Sequence, residues 1–507
     1  MSLRPRCRHS VLGNCRSTGD GWTDRISDAE RSPMNANVKM TEGYQQVRER
    51  VRLLLLICVH ILVCCATFVV VARYDYILGS NPPTVYVFHP PNFHIFYDPI
   101  RLYVAVPLMA AFAVISFLFV IARFSFGYFA GFYLYMMMLG YLWLDCFSDL
   151  SYDHALAGLS AAASIIAFLL PTLFISSPLR RGFTLSTRAF DRLLILFLLL
   201  GVLTIGVGAI YSFRIVALAD MYHFRDKISA PPVVNYFVAM ISNALLPFAF
   251  AGSIARKAYW QAAAVLLILP LFYPITLTKV AFFTPIWLVA MLLLSRIFAG
   301  RAAVVVSLLA PAVAGLILLL LFKSSAAFFF YTINFRLVTI PSLAMDIYND
   351  FFSRHDLTYF CQISVLKPVT HCPYQEQLSV LMEQVYGLGN YNASSFATEG
   401  IASVGPLFAP VTALIYGLVV GLGNRLSAGL PASFILISGS IFPQILLNVP
   451  LSTAFLTHGM GIMFLLWYLT PRAIFERTPL PLKPATSQLN PRTTSAEGQS
   501  SPPAAAM

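Results

Sequence analysis

Runs of about twenty apolar residues recur along this chain, each long enough to cross a hydrocarbon core of roughly 30 Å as a helix. That recurrence leaves few folds open. Transmembrane strands would be about ten residues long with alternating polarity, and these runs are longer and apolar throughout. Composition agrees: 58% of the 507 residues are hydrophobic and 11% are charged, whereas a soluble protein carries roughly 25% charged residues. The expected class is all-α, a polytopic integral membrane protein.

The net charge of +12 would suit nucleic acid, but its placement argues for membrane topology instead. Lys and Arg concentrate in the N-terminal tail and in short connections, as in Arg48, Arg50 and Arg52, then Arg180, Arg181, Arg188 and Arg192, then Arg256 and Lys257. Such residues mark the cytoplasmic side. Counting from them gives about twelve spans with both termini cytoplasmic. The expected organisation is a basic tail without fixed structure over 1–47, a membrane domain over 48–478, and a disordered tail over 479–507, rich in Pro, Ser and Thr. One large external loop, 323–405, separates spans nine and ten. No weak repeat relates the two halves, and no spans are interrupted in corresponding positions, which lowers the case for a transporter built from inverted repeats.

A second set of cations falls on the external side of this weave: Arg73, Arg101, Arg214, Arg225, Lys227, Lys279, Lys323, Arg336, Arg354 and Lys367. They are either solvated charges or a convergent site for an anionic group, with Arg suited to phosphate through paired hydrogen bonds and Lys acting as a point charge. Lys279 favours the second, because it sits in a very short link between two apolar runs, where a charge near lipid is costly. The carboxylates are fewer. Asp145, Asp149 and Asp153 recur every four residues and share a helix face or cap a span end; Asp346 and Asp350 are also four apart. Asp350, Tyr348 and Glu399 are candidates to take a proton from a hydroxyl. His458 is expected to be buried and satisfied. Cys361 and Cys372 both fall in the large loop and are either a disulfide, if that side is oxidising, or two free thiols. Phosphate-binding glycine loops, metal-spaced His/Cys pairs and nucleophile elbows are missing from the sequence; no metal and no cofactor is expected.

Several motifs resemble those of the Wzy-type oligosaccharide repeat-unit polymerases. Tyr222-His223-Phe224-Arg225, followed by a span with Pro247, is similar to that family's Tyr-x-x-Arg loop and next helix. Thr276-Leu277-Thr278-Lys279 resembles its Thr-Gly-x-Lys turn, with Leu277 in place of the usual glycine. Arg336, Pro341, Tyr348 and Phe351-Phe352-Ser353 resemble the start of its large periplasmic loop, and Asn392 to Gly405 its end. The resemblance covers about 222–423 and rests on order and spacing. It implies a glycosyltransferase of the inner membrane that polymerises undecaprenyl-pyrophosphate-linked oligosaccharides at the periplasmic face during O-antigen or exopolysaccharide synthesis. A flippase, a chain-length regulator and membrane lipid are the implied partners. Arg225, Lys279 and Arg336 would stabilise the leaving pyrophosphate; Asp350, Tyr348 and Glu399 would orient or deprotonate the attacking hydroxyl. Tyr222, Arg214, Arg354, Asn392, Tyr391 and Phe396 would contact the glycan. An O-antigen ligase-like enzyme and a lipid-linked glycan flippase are the competing readings; an O-acyltransferase would need His60 or His458, and neither has a supporting motif.

Overall fold

The structure, a computed structural model, describes residues 24–73, 94–217, 224, 230–363, 366–367, 369–388 and 392–476. Its elements are all helical among these residues. In chain order the helices are α1 (Asp24–Ala72), α2 (Leu102–Ile121), α3 (Phe126–Asp145), α4 (His154–Phe174), α5 (Thr187–Tyr211), α6 (Pro232–Ala255), α7 (Tyr259–Thr276) and α8 (Lys279–Ile297). They continue with α9 (Gly300–Phe322), α10 (Ala327–Phe352), α11 (Leu378–Tyr386), α12 (Phe396–Ser427), α13 (Ala432–Ser438), α14 (Phe442–Asn448), α15 (Leu451–Leu456) and α16 (Met460–Leu469). Among the described residues, ten helices are long and apolar enough to cross a membrane, so the chain is a multi-pass membrane protein. The structure also extends α1 back to Asp24, into the segment expected to lack structure; a helix that is already nucleated adds residues at little cost. The 479–507 tail lies outside the described residues.

The bundle is organised around α3. Every residue of α3 except Asp145 is buried, which is the signature of a helix with protein on all sides. It is not among the ten, because Tyr128, Tyr133, Tyr135, Tyr141 and Trp143 dilute its apolar character. Three of the tyrosine hydroxyls find protein partners in place of water: that of Tyr133 lies 2.9 Å from that of Ser307 on α9, Tyr135 donates to the Phe112 carbonyl at 3.2 Å, and Tyr141 accepts from Asn349 at 2.9 Å. At Gly140 the neighbouring helix comes so near that an added Cβ would stand 2.3 Å from Ser342 Oγ. Only glycine permits that approach.

Contacts between helix ends fix which ends lie together. Arg301, at the start of α9, donates to the Val120 carbonyl at the end of α2 at 3.1 Å. Gly127, at the start of α3, donates to Asn424 Oδ1 near the end of α12 at 2.6 Å. These define a basic end of the bundle. Asp145, His154, Lys279 and Phe322, at the other termini of α3, α4, α8 and α9, define the opposite end.

The segment expected as a wet loop over 323–405 differs most from expectation. Ala327–Phe352 is a continuous helix, and every residue from Ile340 to Phe352 is buried. Although α10 is long enough to cross, both its ends meet the opposite end of the bundle: the Lys279 ammonium sits 5.8 Å from the Tyr331 ring centroid, and Ser148 donates to Asp346 at 2.9 Å. Between them α10 dips inward, where Asn334 donates to the Ala312 carbonyl at 2.8 Å and Ser342 to the Met137 carbonyl at 3.0 Å. Around Asn334 the turn widens into a π-helix, Tyr331–Thr339, a form common where a side chain must be re-aimed.

Two further departures bear on the span count. In α12 the backbone leaves the helix at Gly405, with φ +75° and ψ 169°, and the limb before it folds back along the limb after it. An added Cβ at Gly400 would meet Ala409 at 3.4 Å and Thr412 at 3.5 Å. The result is a re-entrant hairpin, tolerated at this depth because protein surrounds it. The expected final pair of spans is broken into α13–α14 and α15–α16. Trp287 Nε1 satisfies the Ser440 carbonyl at the first break at 3.1 Å. At the second, Asn243 donates to His458 at 3.0 Å, so this histidine is partnered as expected, though half-buried rather than buried. The difference between twelve expected spans and ten qualifying helices falls on α3, α10 and this broken pair.

Candidate functional site

The turn between α7 and α8 holds the candidate site. Leu277 takes a left-handed conformation, φ +45° and ψ +43°, the one that glycine adopts without strain. Its side chain is fully buried, which holds the turn against that strain. Thr278 accepts from the Ala281 N–H at 3.4 Å and so caps α8, and the Thr276 and Thr278 hydroxyls lie 3.0 Å apart. The turn therefore presents Lys279 at the first position of α8, half-buried.

Arg336, on the π-helical stretch of α10, lies near enough for its charge to act on Lys279. Arg214 borders the same turn: its N–H donates to the Pro274 carbonyl at 2.9 Å, and its guanidinium lies 5.8 Å from the Phe224 ring centroid. Like charges held together by rigid helices form an arrangement that an anion stabilises. Arg225, Tyr222 and Tyr391 lie outside the described residues.

The remaining candidates are engaged elsewhere. Asp350 is fully buried and accepts from Arg354, from the Tyr386 hydroxyl at 2.6 Å and from the Ser151 N–H at 3.1 Å. Both its oxygens are occupied, and it stands fourteen residues from Arg336, about 21 Å along the helix. Glu399 accepts from the N–H groups of Leu451 at 2.8 Å and Ser452 at 2.9 Å; it caps α15. Tyr348 is 1% exposed in the core. Phe396 is buried, packed between Phe168 and Tyr416 with ring centroids 5.5 and 5.8 Å away. Asn392 is exposed, and Arg354 is half-exposed in its pair with Asp350.

Two features escaped the sequence reading, and one alternative it left open is resolved. Phe396, Tyr416 and Ile415 help to line an apolar cavity of about 370 Å³ beside the hairpin. Cys361 and Cys372 form a disulfide, settling the two alternatives. Asp145, Tyr152, His154 and Asp346 meet in one cluster whose two carboxylates are buried, with His154 at its partly exposed edge. Four-residue spacing hinted at its parts, but nothing local in the sequence pairs residue 152 with residue 346. Comparison with protein-family models, curated proteins and solved structures finds no match to this chain.

Proposed function

We propose that this protein is a membrane glycosyltransferase that polymerises undecaprenyl-pyrophosphate-linked oligosaccharide repeat units at the periplasmic face of the inner membrane. The observation that carries the reading is the convergence of Lys279 and Arg336 beside the left-handed turn. In the reaction, a terminal sugar hydroxyl of one unit attacks the anomeric carbon of the growing chain. The new glycosidic C–O bond forms as the C–O bond to pyrophosphate breaks, and the hydroxyl proton passes to the departing pyrophosphate or to water. The developing negative charge on the pyrophosphate is the group that Lys279 and Arg336 stabilise, with Arg225 as a third cation on the same reading. Preorganised cations in a partly dry site are worth most at that moment.

The orientation has its own support. Arginines crowd the basic end, as they do on cytoplasmic faces, and a disulfide follows α10, which suits an oxidising compartment. Asp350 and Glu399 act here as anchors, their oxygens being held by structural partners. The test is the length ladder of surface polysaccharide in cells lacking the protein, complemented with wild type, Lys279→Ala or Arg336→Ala. Loss of the ladder with single repeat units still reaching the acceptor supports polymerisation. A deletion strain that still makes long chains overturns it. Polymer that accumulates on its lipid carrier would assign a ligase instead.

A further inference from the structure

The connector between α3 and α4 closes over α10 through contacts that the proposed reaction does not use. The Tyr152 hydroxyl lies 2.9 Å from Asp145 Oδ1 and also contacts Asp346 Oδ1. His154 sets Nδ1 2.8 Å from that same Asp145 oxygen and Nε2 3.0 Å from the Leu150 carbonyl. Asp346 is 1% exposed, and the Asp145 side chain is 8% exposed.

These four contacts can be counted in protons. Each needs one, and carbonyl and ionised carboxylate oxygens bring none. The Leu150 contact uses the single N–H of a neutral imidazole. The phenol brings one proton, enough for one of its two carboxylates. Burial and the neighbouring Asp346 charge push the Tyr152 phenol pKa upward, so the hydroxyl keeps that proton. Two contacts are left, His154 to Asp145 and one of the carboxylate–phenol pair, and both need protons taken from solution.

From this count, we propose that the cluster is a latch that binds two protons and closes the connector onto α10. One proton resides on Asp346, which donates to the Tyr152 oxygen while Tyr152 donates to Asp145. The other makes His154 an imidazolium facing the Asp145 carboxylate. The assignment leaves one anion, one cation and one neutral acid, a net charge of zero, for which burial is least costly. Asp346 takes the proton because Asp145 has the His154 pair, whereas no ion pair reaches Asp346 among the described residues.

The surrounding groups do not supply another counter-charge. From α3, the Tyr141 hydroxyl stands 3.4 Å from that of Tyr152 and accepts from Asn349 at 2.9 Å. On the connector, Ser148 donates to Asp346, Asp149 pairs with His94, and Asp153 caps α4. Arg101 donates to the Cys146 and Ser148 carbonyls. On α10, Asp350 is held by Arg354 and Tyr386, and on α12 Glu399 is turned to Leu451. The closed latch binds more protons than the open one, so closure is favoured at low pH and lost as pH rises. When both protons leave, two carboxylates face one phenol and the connector separates from α10, the helix that carries Arg336.

The experiment uses the purified full chain in lipid nanodiscs and does not depend on any activity. Infrared spectra at neutral pH are expected to contain a carboxylic-acid C=O band that Asp346→Asn removes. Hydrogen exchange over 146–153, corrected for the intrinsic rate, is expected to lose protection about tenfold per pH unit for each proton released. Asp346→Asn, whose amide donates as the acid does, keeps the connector protected and reduces that slope. If this variant fails to fold, the wild-type slope and the band's response to Tyr152→Phe decide the matter. A band removed only by Asp145→Asn, or wild-type protection without a pH slope, overturns the proposal.

Discussion

The two ends of the bundle use charge in opposite ways. At the basic end, arginines finish helices. Arg301 caps α2 at Val120 and Ala122, and Arg425 donates to the Ser177 carbonyl just beyond α4. Arg472 reaches the carbonyls of Leu426, Ala428, Trp467 and Thr470, with Arg181 also on Ala428. Each places a cation on the negative pole of a helix. At the opposite end, carboxylates and hydroxyls begin helices: Asp153 caps α4, Thr278 caps α8 and Glu399 caps α15. Against that pattern, Lys279 and Arg336 bring two positive charges toward each other. The difference separates charge set on helix ends from charge gathered beside one turn, and the proposed function rests on the second kind.

Substitutions can break that contrast. The largest effect is expected from Lys279→Ala or Arg336→Ala: chain extension falls at least about a hundredfold, read on the polysaccharide ladder, while the thermal unfolding midpoint in detergent is unchanged. Arg472→Ala should do the reverse, costing about 2 kcal/mol of stability by stripping several charge-assisted hydrogen bonds and leaving the ladder intact. A shortened ladder in correctly inserted Arg472→Ala protein would erase the distinction between the ends. Gly140→Ala, which tests the packing between them, should destabilise by about 1–2 kcal/mol through the clash with Ser342, measured by denaturation. The smallest effect belongs to Glu399→Gln. As a helix cap it loses about 1 kcal/mol with normal chain lengths, and loss of polymer in a stably folded variant would restore it as a catalytic residue.

Much of the architecture was legible in the sequence, for a simple physical reason. Apolar runs of membrane length have few ways to hide their backbone, and the arginine clusters do gather at one end. At the candidate turn, Leu277 stands where the resembled motif has glycine, and the structure gives it a left-handed conformation. What failed was the reading of α10. Its Asn334, Asp346, Asn349 and Asp350 look wet in sequence, yet each finds a partner far along the chain, on Ala312, Ser148, Tyr141 and Ser151 respectively. Polarity that is satisfied from a distance cannot be told from polarity that seeks water. The span at α3 was read correctly from its length despite its tyrosines, but Phe396 was assigned to a sugar although it is packed beside the hairpin.

The burial of α3 also constrains how this protein is assembled. Its surroundings come from both halves of the sequence: Phe119 on one side, and Ser307, Asn424, Phe464 and Trp467 on others. While the ribosome is still making the second half, α3 has no permanent neighbours on those faces. Its tyrosines and glycines must wait in the translocon or among lipids until α9 and α12 arrive. Cutting the gene into two co-expressed fragments between α5 and α6 should therefore yield an amino-terminal piece that is degraded alone and rescued by its carboxy-terminal counterpart.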